Sequence, residues 1–321
     1  MILTVTRQCN LRCSYCPTVK EGWPSLSTDQ AVGAVRLFAQ RYGGGDIKLF
    51  GGEPLLVPDV VRAVFEEAAK HDSIRWVYLS TNGLGLDAEW VDFLQQYPKG
   101  ILTISLDGKP SENRRFRRTL DETVPDAYDH IQSLLSDLLR TPRVVVTQTI
   151  PPAAASRAFE NFEHLRALGF WRFNFLPGYY LPWNPEQLSA LTESFDEMAR
   201  VITSLWQKDE RFYVRNLFTF APTPFFNTGL VVDADGTIHP SNVGLSGQLD
   251  GLRGRTQVGD LVNPPTKQQL DQRAKEVSAM LEHELSEKIW ASTMAVDRQL
   301  TRFCKQLYPV YGAYRKRRSA A

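Results

Sequence analysis

Three cysteines within eight residues are the part of this sequence best suited to chemistry. Cys9, Cys13 and Cys16 follow the spacing C-x3-C-x2-C, and the chain contains one further cysteine, Cys304. Three thiolates in one short loop can bind three irons of a [4Fe–4S] cluster, which normally takes four thiolates. The fourth iron is then open to another ligand, as one position is in catalytic metal sites generally. The spacing therefore predicts a catalytic iron–sulfur cluster.

Two other uses of these cysteines remain open. A structural zinc site needs four closed ligands, and none of the five histidines stands at finger-like spacing from the cysteines. A disulfide would leave an odd thiol in the loop, and it suits secreted proteins. The N-terminal residues carry no pattern of a secretory signal.

The cysteine spacing, with the aromatic Tyr15 just before the last cysteine, resembles the radical S-adenosylmethionine (SAM) superfamily. In that family SAM chelates the open iron, and the reduced cluster cleaves SAM to methionine and a 5′-deoxyadenosyl radical that removes hydrogen from a substrate. The resemblance implies one [4Fe–4S] cluster on Cys9, Cys13 and Cys16, with SAM as the second cofactor. It also implies a flavodoxin- or ferredoxin-type electron donor.

A second motif, Gly51-Gly52-Glu53-Pro54, follows the next predicted strand. It matches the GGEP motif of radical SAM proteins, in which the backbone and the glutamate meet the amino group of SAM. Glycines allow close approach to the backbone, and a carboxylate accepts hydrogen bonds from an ammonium. An ordinary strand-to-helix turn is the alternative. The motif lies about one strand–helix–strand unit after the cysteines, so the two motifs support each other.

Two later strand ends, Ser80-Thr81-Asn82-Gly83 and Ser105-Leu106-Asp107-Gly108, resemble those of the peptide- and protein-modifying branch of the family. There the serine and its neighbours approach SAM. The resemblance therefore adds Ser80, Asn82 and Ser105 to the predicted SAM site, together with Gln148 on the fifth strand. Turn chemistry explains the two glycines.

Arg117 lies in the basic run Arg114-Arg115-Phe116-Arg117-Arg118. By its distance from the preceding strand end, it matches an arginine that faces the SAM carboxylate in this branch. The planar guanidinium group suits the task because it pairs with a carboxylate through two hydrogen bonds. The alternative is a solvated basic face, or a patch that attracts an acidic substrate.

Alternating strand and helix patterns place these motifs at strand ends. Strands are predicted at residues 2–6, 47–50, 76–80, 101–105, 143–150 and 170–176, and helices at residues 27–42, 57–70, 128–139 and 158–168. This order predicts an α/β fold with a parallel sheet. The resemblance makes it a partial (β/α)6 TIM-like barrel over residues 1–180.

Residues 181–321 are predicted to form a C-terminal α+β extension, with helices at residues 186–208 and 267–307 and a hairpin at residues 230–241 that turns at Asp235-Gly236. The hairpin and Val258-Gly259-Asp260-Leu261 resemble the start of the SPASM or twitch extension, in which Pro-Cys begins the ligation of an auxiliary cluster. Ser241 stands at that cysteine position, so we predict a degenerate SPASM-like extension without an auxiliary cluster. An unrelated hairpin is the alternative.

Cys304 lies in the last predicted helix, among apolar and basic residues. A packed thiol is the simple interpretation. The functional one is a hydrogen-atom donor to a substrate radical, which a lone cysteine provides in some radical SAM peptide epimerases.

Composition restricts the partners. The 321 residues are 43% hydrophobic and carry a formal net charge of +1, so no global charge favours nucleic acid or a membrane surface. No apolar run is long enough to span a bilayer. We expect a soluble protein of a reducing cytoplasm.

The leading hypothesis for function is modification of a ribosomally synthesised peptide (RiPP biosynthesis), by carbon cross-linking or epimerisation. A radical SAM enzyme acting on a small metabolite in a biosynthetic pathway is the alternative. A cluster- or zinc-binding protein without catalysis is a third possibility, and the charge balance argues against modification of RNA.

Overall fold

The computed structural model describes residues 1–119, 126–218 and 228–320. The strands of these residues are β1 (Ile2–Thr6), β2 (Leu11–Cys13), β3 (Gly45–Gly51), β4 (Ile74–Thr81), β5 (Gly100–Ser105), β6 (Arg117–Thr119), β7 (Val144–Ile150), β8 (Arg172–Pro177), β9 (Tyr213–Val214), β10 (Thr228–Val232), β11 (Thr237–Ser241) and β12 (Gly259–Asp260). The six predicted strands correspond to β1, β3, β4, β5, β7 and β8.

The helices of the same residues are α1 (Thr28–Arg41), α2 (Pro58–Ala69), α3 (Ala88–Gln96), α4 (Pro110–Phe116), α5 (Ala127–Ser133), α6 (Leu135–Arg140), α7 (Ala158–Ala167), α8 (Pro185–Gln207), α9 (Asp250–Thr256), α10 (Lys267–Glu284) and α11 (Glu287–Ala320). Side-chain caps fix several of their starts. Ser27 and Gln30 form a capping box at α1, as Asn184 and Gln187 do at α8. The start predicted for the helix over residues 27–42 is therefore confirmed.

The described residues fall into two compact units, each assembled from separate stretches of the chain. The first unit contains the described residues of Met1–Ile104, Arg117–Val144 and Phe225–Leu285, and the second those of Ser105–Phe116, Val145–Pro224 and Ser286–Ala321.

The first unit is built on a sheet with the strand order β12-β11-β10-β1-β3-β4-β5. Neighbours from β10 to β5 run parallel, whereas β10, β11 and β12 pair antiparallel. The predicted hairpin is confirmed, and it extends this sheet at the side of β1. Alternate apolar side chains of the central strands are fully buried: Leu3, Val5, Ile47, Leu49, Val77 and Leu79. Each contributes about 1.5–3 kcal/mol through burial.

The second unit contains the parallel strands β7, β8 and β9, with α7, α8 and α11 packed around them. Every residue of β7 is buried, as is typical of a parallel strand covered on both faces. Phenylalanines from α7, β8, α8 and α11 form its aromatic core, with ring centroids 4.8–6.5 Å apart: Phe162, Phe173, Phe175, Phe195 and Phe303.

Some sequence predictions need correction. The helix expected over residues 128–139 is two short helices that meet at Leu134, and the helix expected over residues 267–307 is interrupted at Leu285, whose backbone is extended. The basic run at residues 314–318 continues α11, with its four basic side chains exposed. There Tyr314 is buried, and Arg317 donates to the carbonyl of Trp206 at 2.7 Å.

The predicted fold class is confirmed: an α/β fold of the partial-barrel type, with a mostly parallel, open sheet and a C-terminal helical extension. Among the described helices, none combines the length and the hydropathy needed to cross a bilayer.

Candidate active site

The cysteine loop begins at the carboxyl end of β1, where parallel α/β folds place their chemistry. Within it, β2 pairs antiparallel with β6 and sets Cys13 opposite Arg117. The N–H of Cys16 donates to the carbonyl of Cys13 at 3.1 Å, which closes a tight turn around Tyr15. All four cysteines are free thiols and are partly exposed, so the disulfide interpretation is wrong.

Hydrogen-bond donors converge on the sulfur of Cys9. The backbone N–H of Leu11 donates to Cys9 Sγ at 3.4 Å, and the side-chain amide of Asn82 lies 3.9 Å from the same sulfur. Burial raises the pKa of the Cys9 thiol, and the negative charge of Glu53 raises it further. Because ligands bind metal as thiolates, bound cations at this loop would supply the charge that stabilises the ionised sulfur.

The residues of the loop fit a [4Fe–4S] cluster. In the described part of the chain, no three side chains among His, Cys, Asp and Glu are grouped as ligands of one metal ion. Cluster thiolates bind different irons and need not converge on one point, whereas zinc ligands must. Beside the loop lies an open cavity of about 330 Å³, lined in part by Gln8, Cys9, Asn10, Arg12, Lys20 and Leu56.

Gly51 and Gly52 allow the end of β3 to lie against the backbone that enters the cysteine loop. Gly51 has a φ of +135°, and a Cβ there would lie 2.1 Å from the carbonyl oxygen of Thr6. A Cβ on Gly52 would lie 2.0 Å from the carbonyl oxygen of Gln8. The N–H of Gly52 donates to Thr6 at 2.9 Å. Both glycines thus pack closely against the backbone of Thr6 and Gln8. The contact of Gly51, Gly52 and Pro54 with SAM stays a prediction.

Glu53 joins the ends of β3 and β4. Its buried carboxylate accepts hydrogen bonds from the hydroxyl of Thr81 and the N–H of Asn82, each at 2.7 Å, and from the N–H of Leu55 at 3.0 Å. Burial raises the pKa of Glu53, while these three donors and the charge of Arg117 oppose the rise. A carboxylate offers about four acceptor positions, so one is left beyond these three donors.

Arg117 lies near Tyr15 of the cysteine loop. Arg117 is buried, and its guanidinium carbon lies 5.5 Å from the centroid of the Tyr15 ring, a distance that allows a weak cation–π contact. Ser80 is half-buried on β4, directly before Thr81. The first unit therefore brings together the predicted cluster residues and most of the predicted SAM residues.

Three predicted site residues belong to the second unit. Ser105 ends β5 and is half-buried. Gln148 on β7 donates to the carbonyl of Ala158 at 2.9 Å, and its Oε1 is buried with no hydrogen-bond partner among the described residues. Cys304 lies on α11 near Asp297, and burial raises the pKa of its thiol to about 12.

Sequence reasoning missed residues that act on the loop through hydrogen bonds. Thr81 holds Glu53, and alternation along β4 could have indicated it, since Val77, Leu79 and Thr81 face one side. Arg12 donates to the carbonyls of Cys9 at 2.8 Å and Leu11 at 3.2 Å. No sequence pattern indicates that Arg12 makes these hydrogen bonds.

The sheet is mostly parallel, a three-cysteine loop follows β1, and the GGEP turn follows β3. Together these features define the radical SAM class of enzymes. The model of the "Radical SAM superfamily" matches residues 3–193, and the chain belongs to that superfamily. It is a radical SAM enzyme, of a family that uses SAM and a [4Fe–4S] cluster.

Curated relatives match about a third of the chain. Molybdenum cofactor biosynthesis protein 1 of Mus musculus is 40% identical over 113 residues, which are 33% of this chain and 17% of the relative. The probable GTP 3′,8-cyclase of Methanococcus aeolicus is 31% identical over 136 residues, which are 40% of this chain and 39% of the relative. The matches thus cover well under half of these relatives.

Solved structures share the fold over a longer range. Native anSMEcpe with bound AdoMet and the Kp18Cys peptide aligns with a TM-score of 0.74 and 14% identity, covering 98% of this chain and 99% of that one. Streptococcus suis SuiB bound to its precursor peptide SuiA aligns with a TM-score of 0.54 and 12% identity, covering 76% of this chain and 59% of that one. At such identities the likeness concerns the fold alone.

Proposed function

We propose that this enzyme modifies a ribosomally synthesised peptide, using one [4Fe–4S] cluster bound by Cys9, Cys13 and Cys16 and SAM on the open iron. The observation that carries the cluster assignment is the arrangement of three free thiols on one loop after β1. A reduced cluster and SAM bound there would supply a 5′-deoxyadenosyl radical able to remove hydrogen from a substrate. The chain's own residues bind, orient and shield these groups.

The SAM contacts follow from charge and hydrogen-bonding capacity. Glu53 retains about one acceptor position beyond its three internal donors, which suits the SAM ammonium. Arg117 offers a fork of donors for the SAM carboxylate from its place opposite Cys13. The remaining predicted contacts are Tyr15, Gly51, Gly52, Pro54, Ser80, Asn82, Ser105 and Gln148.

A peptide substrate is supported by the likeness to anSMEcpe over nearly the whole of both chains, since that structure holds AdoMet and a peptide. SuiB with its precursor peptide supports it over a smaller part. We propose carbon cross-linking or epimerisation as the outcome. In cross-linking, the 5′-deoxyadenosyl radical would take one hydrogen atom, and the second would leave as a proton and an electron, with the oxidised cluster as the one-electron acceptor. In epimerisation, Cys304 would donate a hydrogen atom to the substrate radical and become a thiyl radical, which a proton and one electron from a flavodoxin- or ferredoxin-type protein in the cytoplasm would return to the thiol.

A small metabolite is the second candidate substrate. It is favoured by curated relatives that are GTP 3′,8-cyclases, with 31–41% identity over 111–136 residues. The matched region covers about a third of the chain, so it bears on the initiating chemistry more than on the substrate.

The test uses anaerobically reconstituted protein with SAM and a strong reductant. One arm receives precursor peptides, and the other receives GTP and related nucleotides. A peptide that loses two hydrogen atoms, or that gains deuterium at an α-carbon in heavy water, supports the proposal. Turnover of a nucleotide, with every peptide unchanged, favours the second candidate. If epimerisation is found, Cys304→Ala should abolish the deuterium gain and leave hydrogen abstraction intact.

A further inference from the structure

Arg7, two residues before Cys9, is a completely buried arginine tied to the β-hairpin. Its Nε donates to the Asp233 carboxylate at 3.1 Å, its Nη2 donates to the same carboxylate, and Nη2 also reaches the carbonyl of Gly244 at 3.2 Å. Its Nη1 is buried without a partner in the described part of the chain. A buried guanidinium is costly unless it is paired, so Arg7 depends on Asp233.

Asp233 also binds a second arginine, and both arginines contact one tryptophan. Arg253 Nε lies 3.5 Å from the Asp233 carboxylate, and Arg253 pairs with Asp235 through Nη2. The guanidinium carbon of Arg7 lies 3.6 Å from the ring centroid of Trp23, and that of Arg253 lies 4.5 Å away. Both separations are within cation–π range. We name these four residues, Arg7, Trp23, Asp233 and Arg253, the Asp233 brace.

The chain just after Cys16 is attached to the same region through its backbone. The N–H of Val19 donates to Leu245 at 3.3 Å, and the N–H of Gly247 donates to Pro17 at 2.9 Å. Thr18 and Ser246 form the antiparallel bridge between these bonds. The cysteine loop is therefore held to residues 233–253 on both sides of its thiols.

We infer that residues 233–253 position the cluster ligands, and that Asp233 is the positioning residue on which the brace depends. This region contains the turn and the return strand of the hairpin, where the sequence has Ser241 in place of an auxiliary-cluster cysteine. Here it holds the segment that carries the cysteine loop by the Arg7–Asp233 ion pair, the Arg253–Trp23 cation–π contact and backbone pairing. The inference rests on the proposed cluster function, because the brace acts on iron only through Cys9, Cys13 and Cys16.

The test compares Asp233→Asn with Glu67→Gln in the full chain. Glu67 is a matched control because its buried carboxylate also accepts two bonds from an arginine, Arg36, at 2.7 and 3.2 Å, within the same unit. After anaerobic reconstitution, a chelator is added and iron release is followed. Residues that orient metal ligands typically change affinity by about 10- to 100-fold. We therefore expect Asp233→Asn to release iron on the order of tenfold faster than wild type, and Glu67→Gln to match wild type.

A second readout needs no iron. Hydrogen exchange in the metal-free protein should rise in Asp233→Asn at residues 8–23 and 244–247, which include the bonded amides of Val19 and Gly247, and stay unchanged in α1 and α2. If wild type binds no iron, the proposed function fails, and this exchange pattern alone decides whether the brace exists. Wild-type iron release together with wild-type exchange in Asp233→Asn would overturn the inference.

Trp23→Leu covers the case in which Asp233→Asn does not fold. It removes the aromatic surface under both guanidinium groups and leaves every charge paired. We expect iron release faster by about threefold, with raised exchange at the amides of Thr18 and Val19, because a cation–π contact contributes about 0.5–1 kcal/mol or more. A Trp23→Leu protein that matches wild type in iron release and in hydrogen exchange would contradict the positioning role of the Asp233 brace.

Discussion

Cys13 lies directly opposite Arg117 in the antiparallel pair of β2 and β6. The pairing places a predicted cluster ligand and a predicted SAM-binding cation on neighbouring backbone. A shift of the backbone at Cys13 would therefore disturb the strand that carries Arg117. Such coupling suits a site in which two cofactors share one iron.

Arg117→Lys should weaken SAM binding while it preserves the positive charge. Lysine lacks the planar fork that pairs with a carboxylate through two hydrogen bonds, so we expect affinity to fall about tenfold, equivalent to about 1.4 kcal/mol. Titration of reconstituted protein with SAM measures this. The control is Arg118→Lys, at the exposed neighbouring position on β6. Equal SAM affinities of the two variants would contradict the role of Arg117.

Glu53→Gln should destabilise the protein even without cofactors. The amide has one acceptor oxygen and places a donor against the donors of Thr81, Asn82 and Leu55. The unfolding free energy should fall by about 1–3 kcal/mol, because a buried donor then lacks its acceptor. Urea unfolding measures the change, with Glu66→Gln on the exposed face of α2 as the control. A Glu53→Gln protein as stable as this control would show that the three hydrogen bonds to the Glu53 carboxylate do not stabilise the fold.

Gly52→Ala should disrupt the approach of β3 to the cysteine loop. The added methyl group would lie 2.0 Å from the carbonyl oxygen of Gln8, so the backbone has to move. We expect loss of reconstituted iron and a lower melting temperature. Gly33→Ala in α1 is the control. Outside its chain neighbours and the backbone of its own helix, no atom of the described residues lies within 4 Å of the added methyl, and helix propensity predicts stabilisation by about 0.5–1 kcal/mol. Normal iron content in Gly52→Ala would contradict the account.

The stability of the protein should depend on the protonation of Asp297. Burial raises the pKa of Asp297 to about 6, although the hydroxyl of Tyr179, 3.1 Å from its carboxylate, favours the ionised form. A raised pKa means that the folded state binds the proton more tightly than the unfolded state does. The resulting stabilisation is complete below about pH 4 and is lost as pH rises through about 6.

The loss amounts to about 2–3 kcal/mol at most, from a pKa difference of about two units. Asp297→Asn, which stays neutral, should therefore show a smaller fall in stability between pH 4.5 and 7 than wild type, in urea titrations at each pH. Identical pH profiles of the two proteins would show that Asp297 does not carry this dependence.

Local sequence features predicted the strands and the cysteine motif well. In β1 and β3, buried residues alternate with residues of the other face, as at Leu3, Val5, Ile47 and Leu49. The three cysteines lie within eight residues of one another. Neither prediction therefore depends on contacts between distant residues. The breaks at Leu134 and Leu285 were missed because no glycine or proline marks them.

Contacts between distant residues could not be predicted. Arg7 and Asp233 are 226 positions apart, and nothing in either local sequence indicates that they pair. The three-residue strands β2 and β6 are too short for a periodic pattern, so the pairing of Cys13 with Arg117 depends on the fold. Thr81 was overlooked because its partner, Glu53, lies on another strand end.

Iron, sulfide and 5′-deoxyadenosine per chain, measured after anaerobic reconstitution, decide whether this chain binds one radical SAM cluster. We expect about four irons per chain, and 5′-deoxyadenosine in the presence of SAM and a strong reductant. Replacing Cys9, Cys13 and Cys16 together by alanine should abolish both, and Cys304→Ala should change neither. Zinc in place of iron, or iron retained by the triple variant, would contradict the account, and about eight irons would show a second cluster.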